Sequence, residues 1–189
     1  RRKDGSMTCI AGVTDGTTVW IGGDSAAVAG YSYSIRADKK VFHNGEFIMG
    51  FTDSFRMGQL LQYKLQIPPQ KENQNIMKYM VTDFIDAVRD CLNTNGYGKT
   101  ENKVESGGTF LVGYRGHLFA IYSDYQVEEN LDGLNAVGCG ADIARGVLYA
   151  TKDMYPESRI ELAIEAAANY NSGVMLPVHI VQTTPAPLT

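Results

Sequence analysis

Cysteine is scarce and badly placed for cross-linking. Cys9, Cys91 and Cys139 are an odd number at wide spacing, and no Cys-x-x-Cys occurs. This excludes a disulfide framework and points to a reducing compartment such as the cytoplasm. Histidine is equally sparse. His43, His117 and His179 lie far apart without zinc-ligand spacing, so each reads as a surface or satisfied core residue. Basic residues are not in excess: 17 Lys and Arg stand against 21 Asp and Glu, a net charge of −4, which disfavours a nucleic-acid partner. No apolar run approaches the roughly 20 residues of a membrane-spanning helix. A P-loop, an internal repeat and an inter-domain linker are also missing, so the sequence carries no nucleotide-driven motor of its own.

What remains is an ordinary globular composition, with 189 residues that are 44% hydrophobic and 20% charged. It excludes disorder, collagen and a coiled-coil rod. At roughly 150 residues per domain the length suits a single domain, able to bury about 70% of its unfolded surface without a metal or disulfide staple. Arg1-Arg2-Lys3-Asp4-Gly5-Ser6 is polar and lacks the apolar stretch of a secretory signal. It reads as an expression tag or short propeptide ahead of Met7. Residues 1–7 are set aside as a leader, and residues 8–189 form the expected domain. The tail Thr184-Pro185-Ala186-Pro187 reads as loose.

Strands are expected in hairpins. Residues 8–14 and 17–24 flank the turn Asp15-Gly16, residues 39–44 and 46–52 flank Asn44-Gly45, and residues 108–114 and 117–122 flank Arg115-Gly116. A helix is expected from Asp53 to Leu65, with Phe55, Leu60, Leu61 and Leu65 on one face and Pro68-Pro69 beyond it. Residues 75–92 carry the clearest helical stripe, Met77, Met80, Val81, Phe84, Ile85, Val88, Cys91 and Leu92. Residues 93–107 read as a polar loop. A strand at 134–138, helices at about 141–154 and 157–170, and a last strand at 177–182 follow. Hairpins interleaved with helix pairs, without βαβ alternation, predict an α+β fold: a four-layer αββα sandwich of two antiparallel sheets flanked by helix pairs.

Three polar residues punctuate this pattern. Thr8 opens the first strand, Asp24 closes the second inside Gly22-Gly23-Asp24-Ser25, and Lys40 opens the third, at equal separations of sixteen residues. Each alone reads as a turn cap. The words Thr8-Cys9-Ile10-Ala11-Gly12, Ile21-Gly22-Gly23-Asp24 and Lys39-Lys40-Val41 together resemble the N-terminal nucleophile hydrolases of the proteasome β-subunit and HslV kind. Gly30, the helix after Gly50-Phe51, Ala136-Val137-Gly138-Cys139-Gly140 and Asn169-Tyr170-Asn171-Ser172-Gly173 extend the resemblance over nearly all of residues 8–182.

The resemblance implies a threonine-type endopeptidase with Thr8 as nucleophile. A Thr hydroxyl needs a base, and a free α-amine at Thr8, with a reference pKa of about 7.7–8.0, can be one. Lys40 lowers that pKa further and places positive charge near the developing oxyanion, while Asp24 fixes Lys40. The amine exists only once Met7 is removed, so the extended chain is expected to be inactive. Cys139 stands where the family has serine, Asn169 where it has aspartate, and Ser172 matches its serine. Thr52-Asp53-Ser54 shortens its glycine pair, making the Asp53 N–H the expected oxyanion donor. By the same resemblance Ala27, Phe42 and Thr52 line the first specificity pocket. No cofactor is required, but a structural sodium ion is implied at the backbone carbonyls of Ala168, Asn171 and Val174. Cys9 is a rival nucleophile, but on a strand its side chain faces away from that of Thr8.

The resemblance further implies polypeptide substrates, a homo-oligomeric ring and an ATP-dependent unfoldase partner. Two other readings stay open. One is a catalytically silent ring or assembly protein, in keeping with Asn169 and the shortened turn. The other is an amidohydrolase for a small amide.

Overall fold

Two-residue turns set the strand pairing. In Tyr114-Arg115-Gly116-His117 both central residues have positive φ, 47° and 80°, the geometry whose twist matches that of paired strands. Asn44-Gly45 and Asp15-Gly16 also place glycine at positive φ, and the Asp15 carboxylate accepts from the backbone N–H groups of Thr17 and Thr18. The computed structural model describes residues 7–29, 32–101 and 104–185. The predicted leader at 1–6, Gly30 and positions 186–187 of the tail lie outside the described residues.

In chain order the elements are β1 (Cys9–Thr14), β2 (Val19–Gly23), β3 (Ala26–Ala29), β4 (Ser32–Ile35), β5 (Val41–Asn44) and β6 (Phe47–Phe51). Helix α1 (Phe55–Tyr63) follows, then α2 (Ile76–Tyr79), a π turn over Met80–Phe84, and α3 (Ile85–Thr94). Next come β7 (Lys99–Glu101), β8 (Val104–Ser106), β9 (Phe110–Tyr114), β10 (His117–Ile121), β11 (Val127–Glu129) and β12 (Leu134–Gly138). The chain closes with α4 (Ala141–Ala150), α5 (Pro156–Tyr170) and β13 (His179–Gln182).

One antiparallel sheet runs β12-β1-β2-β13 and the other β11-β10-β9-β6-β5. Strand alternation sorts β1 between two cores. Ile10 points between the sheets with Ile21, Val41, Ile48 and Leu111, while Cys9, Ala11 and Val13 point to α4 and α5 with Ile160 and Ile164. The outer face of the second sheet packs Phe47, Phe51 and Tyr114 against α1 and α3. Three apolar layers between four structural layers make the expected αββα sandwich. Each fully buried Ile, Leu or Phe in them contributes about 1.5–3 kcal/mol. The Gly22-Gly23 pair lets both neighbours approach β2: a Cβ at Gly22 would lie 2.3 Å from Ile160 on α5, and one at Gly23 would lie 2.8 Å from Ile10 and 3.5 Å from the Lys40 Cβ.

Several expectations need correction. Val81 is exposed, because the π turn widens the helix there and carries Met80 and Phe84 inward instead. The segment 93–107 is not all loop; it contains the hairpin β7–β8. The hairpin β3–β4 and the short strand β11 are not among the strands expected from the sequence. Helix α1 ends at Tyr63 and α4 at Ala150, both earlier than expected.

Candidate active site

Strand register delivers the three polar residues to one point. Ile10 pairs with Gly23, so Thr8 and Asp24 emerge together at the end of the β1–β2 hairpin. The backbones close on each other there: Asp24 N donates to Cys9 O at 3.2 Å, and Cys9 N donates to Asp24 Oδ1 at 3.0 Å. Lys40 precedes β5 on the facing sheet and reaches across. Its Nζ donates to Asp24 Oδ1 at 2.9 Å and to Thr8 Oγ1 at 3.0 Å.

The ion pair is fully withdrawn from water, with Lys40 2% and Asp24 1% exposed. Asp24 is matched by four donors: Oδ1 takes Lys40 and Cys9 N, and Oδ2 takes Ala26 N at 3.0 Å and Met175 N at 3.3 Å. Buried charge is tolerated only when compensated in this way. Burial is the main influence on Lys40 and pulls its pKa below the usual lysine value, against the opposing effect of the Asp24 charge and hydrogen bond. Thr8 Oγ1, accepting from Lys40, donates to Met7 O at 2.7 Å.

A second side of the site is built from loops. Gly140 N donates to Thr8 O at 3.4 Å, and Cys139 Sγ lies 3.5 Å from the same oxygen. Gly138 pairs with Cys9 at a φ of 98°, and a Cβ there would fall 2.2 Å from Thr8 O. The α5–β13 loop is fastened to the Asp24 turn through Ser25 N to Met175 O at 2.9 Å and Ser25 Oγ to Pro177 O at 2.7 Å.

Of the sequence-derived candidates, Thr8, Asp24, Lys40 and Cys139 meet. Ser172 and Asn169 are both exposed. The contact with Cys139 comes instead from Asn171, whose side chain sequence reasoning passed over in favour of its backbone. Asp53 adopts a φ of 57°, a conformation that glycine favours and aspartate tolerates. Its carboxylate is directed to Thr109 N at 2.7 Å, so the side chain is committed to the start of β9. Thr52 is buried and tied to Thr109 O through both N and Oγ1, with its methyl toward Gly138. Phe42 lies in the helix-covered core against Phe51, and Ala27 is half-buried on β3. Cys9 is sealed beneath α4 and α5, and burial, with Asp24 second, pushes its thiol up to about 12.

The Asn171 carbonyl accepts from Val174 N at 3.1 Å, and Ala168 sits in the last turn of α5, where carbonyls lack intrahelical partners. Among the described residues no cluster of His, Cys, Asp or Glu could hold a metal, and no helix is long and apolar enough to cross a membrane. Sequence patterning also missed a rim beside Lys40. The Phe55 ring centre is 5.9 Å from Lys40 Nζ and carries the Arg36 guanidinium on its face at 4.0 Å. Asp38 holds Arg36 with two contacts of 2.6 Å, and the guanidinium in turn holds the Asp38 carboxyl below its usual pKa.

No protein-family sequence profile matches the chain, and no curated protein sequence does. Solved structures do. BPH from Thiobacillus denitrificans, in complex with epoxomicin, superposes with a TM-score of 0.77 at 21% identity over 95% of this chain and 100% of its own. Eukaryotic HslV from Trypanosoma brucei gives 0.65 at 18% identity, covering 93% and 98%. Anbu (ancestral beta-subunit) from Yersinia bercovieri gives 0.64 at 16%, covering 94% and 82%. The fold is that of the proteasome-type N-terminal nucleophile hydrolases. Within this proteasome-type fold the Thr8 centre lies at the shared end of both sheets. A groove of about 460 Å³ beside Glu46, Gln70 and Arg115 lies at the other end of β5 and β9.

Proposed function

We propose that the chain is a threonine-type amide hydrolase acting on polypeptides once Thr8 is freed. The observation that carries this reading is the Lys40 ammonium, 3.0 Å from Thr8 Oγ1 and 2.9 Å from a carboxylate that four donors hold in place. In the freed form the α-amine takes the Oγ1 proton, and Oγ1 bonds to the substrate carbonyl carbon. The carbonyl oxygen becomes an oxyanion, which the Lys40 charge and a backbone N–H near Asp53 would stabilise. The proton passes to the leaving nitrogen as the amide bond breaks. The remaining ester is hydrolysed when the same amine deprotonates water.

While Met7 is attached, its peptide bond occupies the amine, and its carbonyl accepts a hydrogen bond from the Thr8 hydroxyl. The extended chain is therefore inactive under this reading. Under this reading the chain assembles as a homo-oligomeric ring, fed by a separate ATP-dependent unfoldase in a reducing compartment, as the resemblance to the proteasome β-subunit and HslV kind implies.

Protein beginning at Thr8 should hydrolyse fluorogenic peptide amides and gain the mass of one epoxomicin molecule at Thr8, by analogy with BPH. Thr8→Ala should lower turnover about a thousand-fold or more and take up no inhibitor. Equal turnover in the two proteins would remove Thr8 from the chemistry. No hydrolysis and no adduct in the freed protein would favour the silent assembly protein.

A further inference from the structure

The side of Thr8 away from Lys40 meets Gly138, Cys139 and Gly140. It is made by two loops, β12–α4 and α5–β13, which have no strand pairing to hold them in register. One side chain joins them. Asn171 Nδ2 donates to Cys139 O at 2.9 Å, and Asn171 Oδ1 accepts from Gly173 N at 2.9 Å and from Cys139 Sγ at 3.3 Å. Both loops press on the Met7–Thr8 junction. A Cβ on Gly173 would lie 2.9 Å from Cys139 Sγ and 3.0 Å from Met7 Cα, while Cys139 and Gly140 reach the Thr8 carbonyl. The thiol has one hydrogen and two acceptors, Thr8 O and Asn171 Oδ1, so the amide competes with the Thr8 carbonyl for it.

We propose that Asn171 is a positioning residue: its amide clamps Cys139 to Gly173 and thereby fixes the backbone of Thr8 on the side from which the freed amine works. This rests on the reading of Thr8 as nucleophile. The amide uses its donor on one loop and its acceptor on the other, which a hydrophobic residue cannot do. Asn169, two residues earlier, is exposed on α5 and cannot substitute. Misplacing a reacting group by a fraction of an ångström lowers the rate of the chemical step more than it weakens substrate binding.

The test uses the freed protein with Asn171→Ala, Asn171→Asp and Asn169→Ala. The expected result is a kcat for Asn171→Ala about ten-fold or more below that of Asn169→Ala, with KM within about two-fold. Asn171→Asp, which keeps the acceptor and loses the donor, should fall between them. A readout independent of turnover is the rate of Cys139 modification by a thiol reagent, since Cys139 is exposed whereas Cys9 and Cys91 are buried. Releasing the clamp should raise that rate about three-fold or more in Asn171→Ala. Unchanged thiol reactivity, or equal kinetics for the two alanine variants, overturns the clamp. A raised thiol rate in a protein that never hydrolyses peptides leaves the clamp standing and overturns the hydrolase reading.

Discussion

Thr8 stands between two unlike walls. On one side the Lys40–Asp24 pair is buried, charged and built on paired strands, with contacts of 2.9–3.3 Å. On the other, Cys139 and Asn171 are neutral, partly exposed and carried on loops, with the two thiol contacts at 3.3 and 3.5 Å. The first wall is expensive to form and expensive to disturb, because removing either charge strands the other in a dry interior. The second costs little to form, since a thiol and an amide lose little on leaving water when partnered. The Thr8 hydroxyl is thus held by a charged, dry side and its backbone by neutral loop contacts.

The largest expected effect is at the charged wall. Asp24→Asn keeps the size of the side chain but supplies one acceptor atom where four donors converge, and it removes the counter-charge of Lys40. Destabilisation of about 3–5 kcal/mol is expected in chemical denaturation. The sign of the accompanying pH effect follows from Lys40. Burial already lowers its pKa, and Asp24 is what holds it up. Removing that carboxylate lowers it further, so Lys40 sheds its proton closer to neutral pH and the alkaline limb of any activity moves down the pH scale. A loss under 1 kcal/mol would mean that the four donors find other partners, and the contrast between the walls would collapse.

The charged wall is also the part that was legible in the sequence. Each of Thr8, Asp24 and Lys40 alone reads as a turn cap, and the resemblance to the proteasome β-subunit and HslV kind singles them out together; the β1–β2 register then carries Thr8 and Asp24 to one end, where Lys40 arrives ahead of β5 on the facing sheet. The Asn171 clamp was not legible, because a loop position has no periodicity to say which of two asparagines turns inward. The same limit applies to the fold. The β3–β4 hairpin mixes alanines and serines with Val28, Tyr33 and Ile35, but β4 is exposed throughout, so no buried face marks it. The β7–β8 hairpin is charged or polar at every position but Val104, which is itself exposed, and its pattern is that of a solvated loop. The π turn satisfies helical spacing before and after it, so only the exposure of Val81 reveals the extra residue.

A backbone substitution probes where the walls meet. Gly138→Ala would put a Cβ 2.2 Å from Thr8 O, at a φ of 98° that side chains resist. About 2–3 kcal/mol of stability should be lost, together with most activity. Gly146→Ala is the internal standard. That glycine lies inside α4 with open space around it, and alanine there should stabilise by about 0.5–1 kcal/mol. Equal midpoints for the two variants in thermal unfolding would show that the Gly138 turn yields and that Thr8 is not held from that side.

The smallest effect belongs to the neutral wall. Cys139→Ser replaces a weak donor with a better one of similar shape, whose one hydrogen faces the same two competing acceptors, Thr8 O and Asn171 Oδ1. The gain in hydrogen bonding offsets the polarity added at an exposed position, so stability should change by no more than about 0.5 kcal/mol. Turnover of the freed protein should stay within about two-fold of the parent, the factor equivalent to that energy. The variant thereby separates two uses of the residue. If Cys139 acts by holding the Thr8 carbonyl, serine does it as well. If serine abolishes turnover while the protein stays folded, the thiol itself enters the chemistry, and the wall read here as neutral support would instead hold a second reactive group.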